Sequence, residues 1–452
     1  MKKEDQGPGF TGLATICTEY FGLNRAVSLA VVGLFAVIVC FAIFWFIRSA
    51  PPRVITITCG PAGSAFDTNA SKYATILASN GVTLKILHSQ GSWENLKRLE
   101  DPKAHVDIGF VQGGIADGTN TANLVSLGSI SYEPLLVFYR GTNTITFLSQ
   151  FEGKRLAVGS EGSGTHLLAM ALLETNGISP GGSTVLEDLD AGDAAQALLA
   201  GTVDAVFLTS DSASSQTMRT LLRAPGVQLM SSEQADAYTR RFNYLNKLRL
   251  PEGVIDFNKN LPPHDVWLVG PTVELVVRPD LNPAMSDLLL DAAQTVHGKA
   301  SIFQSQGEFP APLVHEYTIS PDALRYYKSG KKFLYREMPF WIASLVNRVM
   351  VAFVPIVLVL IPALRLFPAA YRWRAQLRIY RWYRKLLVLE RDVALAQNPS
   401  QQEDFVRRLD EIETVVLAMK VPASFANLFY SLREHIDYVR AKLASRSSPP
   451  KV

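Results

Sequence analysis

Three loops rich in glycine and hydroxyl residues each follow a strand-like segment, at residues 60–66, 88–95 and 159–165. Glycine lets the backbone approach a bound molecule closely, and the N–H groups at the start of a following helix attract an anion. Ser64, Ser92 and Thr165 stand where the loops enter helices, either as N-caps or as ligand donors. Together the three loops predict a binding site for a small anion.

The same loops lack the residues that catalysis would need. The third loop nearly matches a phosphate-binding P-loop, but Thr165 stands where the P-loop has its lysine. Ser163 lacks the first glycine of the G-x-S-x-G motif. The histidines show no paired metal spacing, and Cys17, Cys40 and Cys59 fit no zinc pattern. The sequence therefore predicts a binding protein that is not an enzyme, with no metal and no cofactor.

Strand-like and helical segments alternate on either side of these loops. Runs of β-branched and apolar residues predict strands at 54–58, 82–87, 106–111, 135–139, 155–158 and 203–208. Helical spacing predicts helices at 92–100, 165–174 and 193–199. This alternation implies α/β layers with parallel sheet, in which ligands sit at the carboxyl ends of strands. About 280 residues of such a pattern favour two lobes over one.

Several motifs also carry a family resemblance. The loop at 59–66 is similar to a Gly-Gly-x-x-Gly-x-Tyr motif, with Phe66 in the place of the tyrosine. Residues 89–96 resemble a Ser-Gly-Gly-Ser-x-x-Asn motif, and residues 107–112 end a strand with Asp-x-Gly-x-x-Gln. Residues 133–138 look like a strand that crosses between two lobes. Residues 153–165 are similar to a Gly-Lys-Arg-x-Ala-Val-Gly-x-x-Gly-Ser-Gly-Thr segment.

With these five motifs in one order, residues 54–327 resemble the TAXI-type solute-binding proteins of tripartite ATP-independent periplasmic (TRAP) transporters, in a membrane-anchored form. The resemblance implies two α/β lobes of the periplasmic-binding-protein type II kind, with two crossings and a ligand clamped between them. It also implies small carboxylate ligands, among them glutamate-like amino acids, and separate permease subunits as partners.

Carried over position by position, the resemblance predicts the ligand-binding residues. Lobe one would contribute Gly63, Ser64, Phe66, Ser92, Asn95 and Gln112. Lobe two would contribute an anion-binding helix start made of Ser163, Gly164 and Thr165. The loop after strand 203–208 adds the candidates Thr209 and Asp211.

Two apolar segments predict that the chain crosses a membrane twice. Residues 26–47 carry no charge and are about long enough to span a bilayer; a cleaved signal peptide is the alternative interpretation. Residues 340–366 form the second span, with a buried soluble helix as its alternative. Seven Arg and Lys residues, interleaved with Tyr and Trp, follow this segment between positions 365 and 385. Such a flank is typical of the cytoplasmic side of a membrane helix, and this placement argues against a nucleic-acid site.

The net charge of +3 is distributed unevenly along the chain. Residues 1–53 carry 5 Lys and Arg against 3 Asp and Glu, residues 54–364 carry 23 against 29, and residues 365–452 carry 16 against 9. We interpret this uneven distribution of charge as a sign of membrane topology: both termini are cytoplasmic and the acidic region lies outside a bacterial inner membrane. The predicted divisions are 1–25, 26–47, an exported domain at 54–337, 340–366 and a tail at 371–445. Within the domain, lobe one is predicted at 54–134 and 266–330, and lobe two at 135–265.

The cytoplasmic tail has apolar residues at three- and four-residue steps in three series, at 379–393, 405–419 and 425–443. Ser400 and Glu403 form a capping box before the second series. The pattern predicts either a small helical bundle or a coiled-coil site for self-association.

The leading hypothesis is therefore a tethered solute-binding protein for TRAP-type uptake of a small anionic solute. The alternative is a ligand sensor that relays lobe closure through its membrane helices to the tail.

Overall fold

The computed structural model describes residues 25–116, 121–395, 401–419 and 425–447. The chain divides into two compact units, one made of residues 46–349 and the other of residues 1–45 with 350–452. The predicted cytoplasmic N-terminus, Cys17 and the capping residue Ser400 lie outside the described residues.

Strands and helices alternate along most of the two-lobed unit, and the residues described after it form helices. The strands are β1 (Val54–Thr58), β2 (Thr83–Leu87), β3 (Ile108–Gln112), β4 (Val125–Tyr132), β5 (Leu136–Arg140), β6 (Arg155–Ala157), β7 (Val185–Glu187), β8 (Ala205–Leu208), β9 (Val227–Leu229), β10 (Asn246–Leu250), β11 (Val266–Gly270), β12 (Thr272–Val277) and β13 (Thr318–Ile319). The helices are α1 (Arg25–Arg48), α2 (Ala65–Ser79), α3 (Ser92–Glu100), α4 (Gly164–Thr175), α5 (Ala191–Ala200), α6 (Ser215–Arg223), α7 (Ala235–Arg241), α8 (Pro283–His297), α9 (Pro321–Ser329), α10 (Phe333–Glu337), α11 (Phe340–Leu395), α12 (Gln402–Leu417) and α13 (Ala426–Ser447).

Lobe one is built on a six-stranded sheet with the order β13-β4-β12-β3-β1-β2. β1 pairs in parallel with β2 and β3, as the alternating pattern predicted. β12 instead runs antiparallel to β3 and β4. The prediction of a parallel sheet is therefore wrong for the part of the lobe-one sheet that contains β12. The reason is topological: β12 begins beside the carboxyl ends of β3 and β4 and therefore runs in the opposite direction.

Lobe two has a five-stranded sheet with the order β7-β6-β8-β5-β9. β6 is parallel to β7 and β8, whereas β5 is antiparallel to β8 and β9. A separate antiparallel pair, β10 and β11, packs on this lobe through Leu248 and Val266, which share a buried cluster with Phe138 and Val206. Both lobes are thus mixed α/β layers.

The chain passes between the lobes twice, at neighbouring points. The first passage runs from β4 to β5 through Glu133, and the second runs from β11 to β12 through Pro271. The backbone N–H of Glu133 donates to the carbonyl of Pro271 at 2.8 Å, which holds the two passages side by side. Because β11 packs with lobe two, the return passage lies at 270–271 and not at the predicted boundary between 265 and 266.

Both ends of the two-lobed unit are attached to lobe one. Phe340, the first residue of α11, is buried in the lobe-one core. Arg348 Nη1 donates to the carbonyl of Phe46 at 3.2 Å, which brings the start of α11 beside the end of α1. Asn282 Nδ2 donates to the carbonyl of Ser49 at 3.2 Å, just before α8 begins. Lobe one therefore carries both connections to the remaining chain.

Among the described residues, one helical segment, Phe340–Leu358, is long and apolar enough to cross a membrane by length and composition. It opens α11, which continues without a break through Pro355 and Pro362 to Leu395. The predicted boundary between second span and tail therefore falls inside one helix. The first predicted span coincides with α1, in which the described apolar stretch Ala36–Arg48 is shorter.

The three apolar series of the tail pack on one another. They lie on the end of α11, on α12 and on α13, and each helix contributes buried residues to one cluster, for example Leu386, Leu409 and Leu432. The bundle interpretation thus accounts for these stripes within a single chain. Self-association through the tail stays a prediction.

Candidate functional site

The loops that the sequence singled out meet where the two lobes face each other. The backbone N–H of Ala65 donates to the carbonyl of Ser210 at 3.1 Å, and the N–H of Glu94 donates to the carbonyl of Gly162 at 3.1 Å. Each hydrogen bond joins the start of a lobe-one helix to a loop of lobe two. The lobes are therefore closed on each other along this line.

The carboxylate of Asp211 lies at the centre of the closed cleft and is fully buried. Its Oδ2 accepts the backbone N–H groups of Ser92, at 3.1 Å, and of Gly164, at 2.7 Å. Its Oδ1 accepts the hydroxyl groups of Thr165, at 3.0 Å, and Thr209, at 2.8 Å. The helix starts of α3 and α4, one from each lobe, thus share a single carboxylate. This is the arrangement that stabilises an anion at helix N-termini.

Two glycines allow this close approach. A Cβ on Gly60 would lie 2.1 Å from the backbone oxygen of Asp211, and a Cβ on Gly91 would lie 2.5 Å from its Oδ2. Gly91 also has a φ of 142°, which side-chain-bearing residues rarely adopt. The glycine content of the loops is therefore required for closure around the carboxylate.

Behind Asp211 lies a second buried carboxyl group, that of Glu133. Ser210 Oγ is 2.8 Å from both oxygens of Glu133, and the backbone N–H of Asp211 donates to Oε1 at 2.7 Å. Burial raises the pKa of Glu133 to about 8; the negative charge of Asp211 adds to this effect, while the hydrogen bonds from Ser210 and Asp211 oppose it. Since Glu133 lies in the first passage between the lobes, its hydrogen bonds with Ser210 and Asp211 connect this passage to the cleft.

Among the predicted site residues, Gln112 crosses the cleft and Asn95 does not. Gln112 Nε2 donates to the carbonyl of Gly164 at 2.8 Å, and its buried Oε1 has no hydrogen-bond partner among the described residues. Asn95 Oδ1 accepts the hydroxyls of Thr58, at 2.6 Å, and Ser89, at 2.7 Å, while its Nδ2 donates to a backbone carbonyl of β3 at 2.9 Å. Asn95 therefore supports the lobe-one loops from behind.

The remaining predicted residues have local roles. Ser64 and Ser163 are the N-caps of α2 and α4, and the side-chain oxygen of each accepts a backbone N–H of its own helix. Phe66 packs in the lobe-one core, with its ring centroid 5.4 Å from that of Phe110. Gly63 is exposed. Phe66 thus faces the lobe-one core and Gly63 lies at the surface, while Ser64 and Ser163 cap their own helices.

Sequence reasoning missed Glu133 as a site residue, although it identified 133–138 as a crossing strand. The available signal was a single charged residue entering an apolar strand, which demands a specific partner if it is buried. The sequence does not reveal that its partner is the segment 210–211, because that contact joins residues more than seventy positions apart.

A second group of polar residues lies beside the cleft loops. The Sγ of Cys59, a carboxylate oxygen of Asp67 and an imidazole nitrogen of His88 all lie within 4.8 Å of one another. Burial raises the pKa of the Cys59 thiol to about 12, and the charge of Asp67 adds to this, which opposes a role as a thiolate nucleophile. The sequence predicted no metal site, yet these three residue types are metal ligands.

The region that holds the cleft matches a known protein family. The sequence model of the NMT1-like family matches residues 60–286, a range that contains the cleft loops, both passages between the lobes and Asp211. No curated protein sequence matches the chain.

Several solved structures are similar to the chain over about half its length. The periplasmic aliphatic sulphonate-binding protein SsuA of Escherichia coli is 16% identical, with 55% of this chain and 69% of that protein covered and a TM-score of 0.35. An ancestral arginine-binding protein bound to arginine is 13% identical, with 54% and 93% covered and a TM-score of 0.35. The lipoprotein Tp32 of Treponema pallidum is 15% identical, with 53% and 90% covered and a TM-score of 0.32.

Proposed function

Because the chain belongs to the NMT1-like family, which has the two-lobed fold of periplasmic solute-binding proteins, we propose that it captures a small anionic solute between its lobes. The observation that carries the proposal is the position of the Asp211 carboxylate. It lies between two helix starts, one from each lobe, where backbone N–H groups and two threonine hydroxyls converge on it. A site that holds one carboxylate so completely has the shape and polarity to hold the carboxylate of a solute.

In this mechanism Asp211 occupies the anion position while no solute is bound. Opening of the lobes withdraws Asp211 from Ser92, because these residues lie on opposite sides of the cleft. A solute carboxylate that also displaces Asp211 from Gly164, which lies in the same lobe, then takes over the N–H groups of Ser92 and Gly164 when the lobes close. The unpartnered Oε1 of Gln112 is a ready acceptor for a donor group on the same solute, such as the ammonium of an amino acid.

The proposal includes a membrane setting. The helices α1 and α11 would anchor the two-lobed unit to the bacterial inner membrane from both ends, with the cleft outside and the tail in the cytoplasm. The solute would pass to TRAP-type permease subunits, as the resemblance in the five motifs implies. The attachment of α1 and α11 to lobe one is compatible with this arrangement.

Calorimetry and thermal melting of the full-length protein in detergent micelles test the binding step. We expect one or more members of a panel of monocarboxylates, dicarboxylates and amino acids to raise the melting temperature, by the equivalent of about 2.7 kcal/mol at one hundred times the dissociation constant. Gly91→Ala should abolish the response, since its Cβ would lie 2.5 Å from the position of Asp211 Oδ2 that the solute carboxylate would take, whereas Gly141→Ala, which has open space around it, should not. A folded protein that ignores the whole panel, or a Gly91→Ala variant that responds normally, would contradict the proposal.

A sensor is a second candidate, favoured by the continuity of α11. This one helix contributes Phe340 to the core of lobe one and Leu386 to the core of the tail. If the tail relays closure, deletion of residues 371–452 should leave solute uptake intact and remove a downstream response. Loss of uptake in the truncated protein would instead indicate that the tail docks on the permease.

A further inference from the structure

We propose that Cys59, Asp67 and His88 form a binding site for a divalent transition-metal ion, with zinc as the best fit, at the carboxyl ends of β1 and β2. The proposal is independent of the solute that the cleft binds.

The site follows from the pairing of two parallel strands. β1 and β2 are in register such that Thr58 lies opposite Leu87, so the next residue of each strand, Cys59 and His88, emerges at the same edge. Asp67 is in the first turn of α2, which starts after the loop that follows Cys59. Three chain segments separated by 8 and 21 residues therefore converge, which is why a search for short metal-binding spacings does not find them.

The three side chains present one ligand atom each in a compact arrangement. The thiol sulfur, a carboxylate oxygen and an imidazole nitrogen lie within 4.8 Å of one another, and His88 Nε2 is 3.0 Å from Asp67 Oδ1. A tetrahedral zinc ion with bonds of about 2.0–2.3 Å holds its ligands about 3.5 Å apart, so small movements would complete the site. Thiolate, imidazole and carboxylate are all ligands that zinc accepts, with a fourth position left for water or another donor.

Neighbouring groups already orient these ligands. Gly63 N–H donates to Asp67 Oδ2 at 2.8 Å, which leaves Oδ1 directed towards His88. Arg98 Nη1 donates to the backbone carbonyl of His88 at 2.7 Å and so fixes the loop that carries the imidazole. Such hydrogen bonds behind the ligands are typical of metal sites.

The charge and exposure of the surroundings suit a cation. Binding of the ion would release the thiol proton of Cys59 to the solvent, and the resulting thiolate and the Asp67 carboxylate would balance a divalent charge. The nearby positive charge of Arg98 is paired with Glu94 at 2.6 Å and therefore opposes the ion only weakly. Cys59 is buried, whereas the side chain of His88 is 53% exposed, so an ion can enter from the solvent side.

Cobalt substitution tests the site in the full-length protein. We expect Co²⁺, added alone, to produce a near-ultraviolet thiolate-to-cobalt absorption band that Zn²⁺ abolishes by competition. Cys59→Ser should remove the band, and His88→Ala should weaken Co²⁺ binding by more than about 100-fold, a loss at least as large as those seen for supporting residues. Because the side chain of His88 is exposed, His88→Ala should leave the fold intact.

The other thiols provide the matched control. A Cys17→Ser/Cys40→Ser variant, in which Cys59 is the only thiol, should keep the band at full strength. If the band persists in Cys59→Ser or disappears in the single-thiol variant, the thiol ligand is assigned wrongly and the proposal is overturned. It is also overturned if only His88→Ala affects binding, since that result describes an exposed histidine alone.

Discussion

Replacement of Asp211 by alanine is expected to destabilise the closed two-lobed unit by about 3 kcal/mol and to make its stability depend on added carboxylate. The substitution leaves the N–H groups of Ser92 and Gly164 and the hydroxyls of two threonines without their buried acceptor. Buried donors that lose a charged partner cost about 1–3 kcal/mol each, and this cost is partly offset because the carboxylate of Asp211 no longer has to be desolvated.

The decisive measurement is rescue of this variant by a small carboxylate. If the helix starts of α3 and α4 form a general carboxylate site, acetate or formate should raise the melting temperature of Asp211→Ala more than that of the unsubstituted protein, in which Asp211 competes for the same N–H groups. Asp204→Ala is the matched control: Asp204 is in the same lobe, pairs with the Arg155 side chain near the surface at 3.1 Å and accepts its backbone N–H at 2.9 Å, so its loss should cost less than that of the buried Asp211 and should not respond to acetate. An Asp211→Ala protein that is destabilised but indifferent to every carboxylate would show that the site serves closure only.

Replacement of Glu133 by glutamine is expected to remove a large part of the pH dependence of stability. In the folded state the pKa of Glu133 is raised to about 8, from an ordinary value of 4.5, so the folded protein holds a proton that the unfolded chain releases. Stability should therefore fall as the pH rises from about 4.5 to about 8, by at most about 1.4 kcal/mol per pH unit for this one group. Above pH 8 the ionised carboxylate would lie beside Asp211, and this should favour opening of the cleft.

Glu274 has to be separated from Glu133 in this experiment. Burial in the lobe-one sheet raises the pKa of Glu274 to about 7, so it contributes to the same slope over a narrower range. Denaturant titrations of Glu133→Gln and Glu274→Gln should therefore differ most between pH 7 and 8, where only Glu133 still loses its proton. If Glu133→Gln keeps the slope of the unsubstituted protein in that interval, Glu133 is already ionised at neutral pH.

The sequence was most informative where a β-branched or apolar run ends at glycine. The strand at Val54–Thr58 and the helix at Ser92–Glu100 were predicted with the observed bounds, because Pro52 and Gly60 flank the strand and Gly91 and Pro102 flank the helix. β4 was missed, since serine and glycine interrupt its apolar residues and its burial comes from β12, which lies about 140 positions further along the chain. When the strand that buries β4 follows only after the chain has passed through lobe two, the residues of β4 and their sequence neighbours do not indicate the pairing.

The candidate site likewise has features that the local sequence predicts and features that depend on distant contacts. The loops and helix starts could be predicted, because glycines and capping residues have short-range reasons for their positions. Asp211 was predicted as a ligand contact, but its place between Ser92 and Gly164 depends on how two lobes close. Phe66 was also predicted as a ligand contact, and its position in a loop motif did not reveal that α2 turns this side chain into the core beside Phe110.

The double attachment of lobe one has a consequence for how a captured solute would be delivered. Under the proposed topology, the two-lobed unit is tethered to the membrane, and a tethered partner experiences an effective concentration on the order of millimolar. The protein would then not be recruited from a free pool, and raising its expression would add capture sites only at the places where it is inserted. Lobe two, which two adjacent passages connect to lobe one beside Glu133, would be the lobe that moves. Each cycle of capture would then be a hinge motion of lobe two, without diffusion of the whole protein.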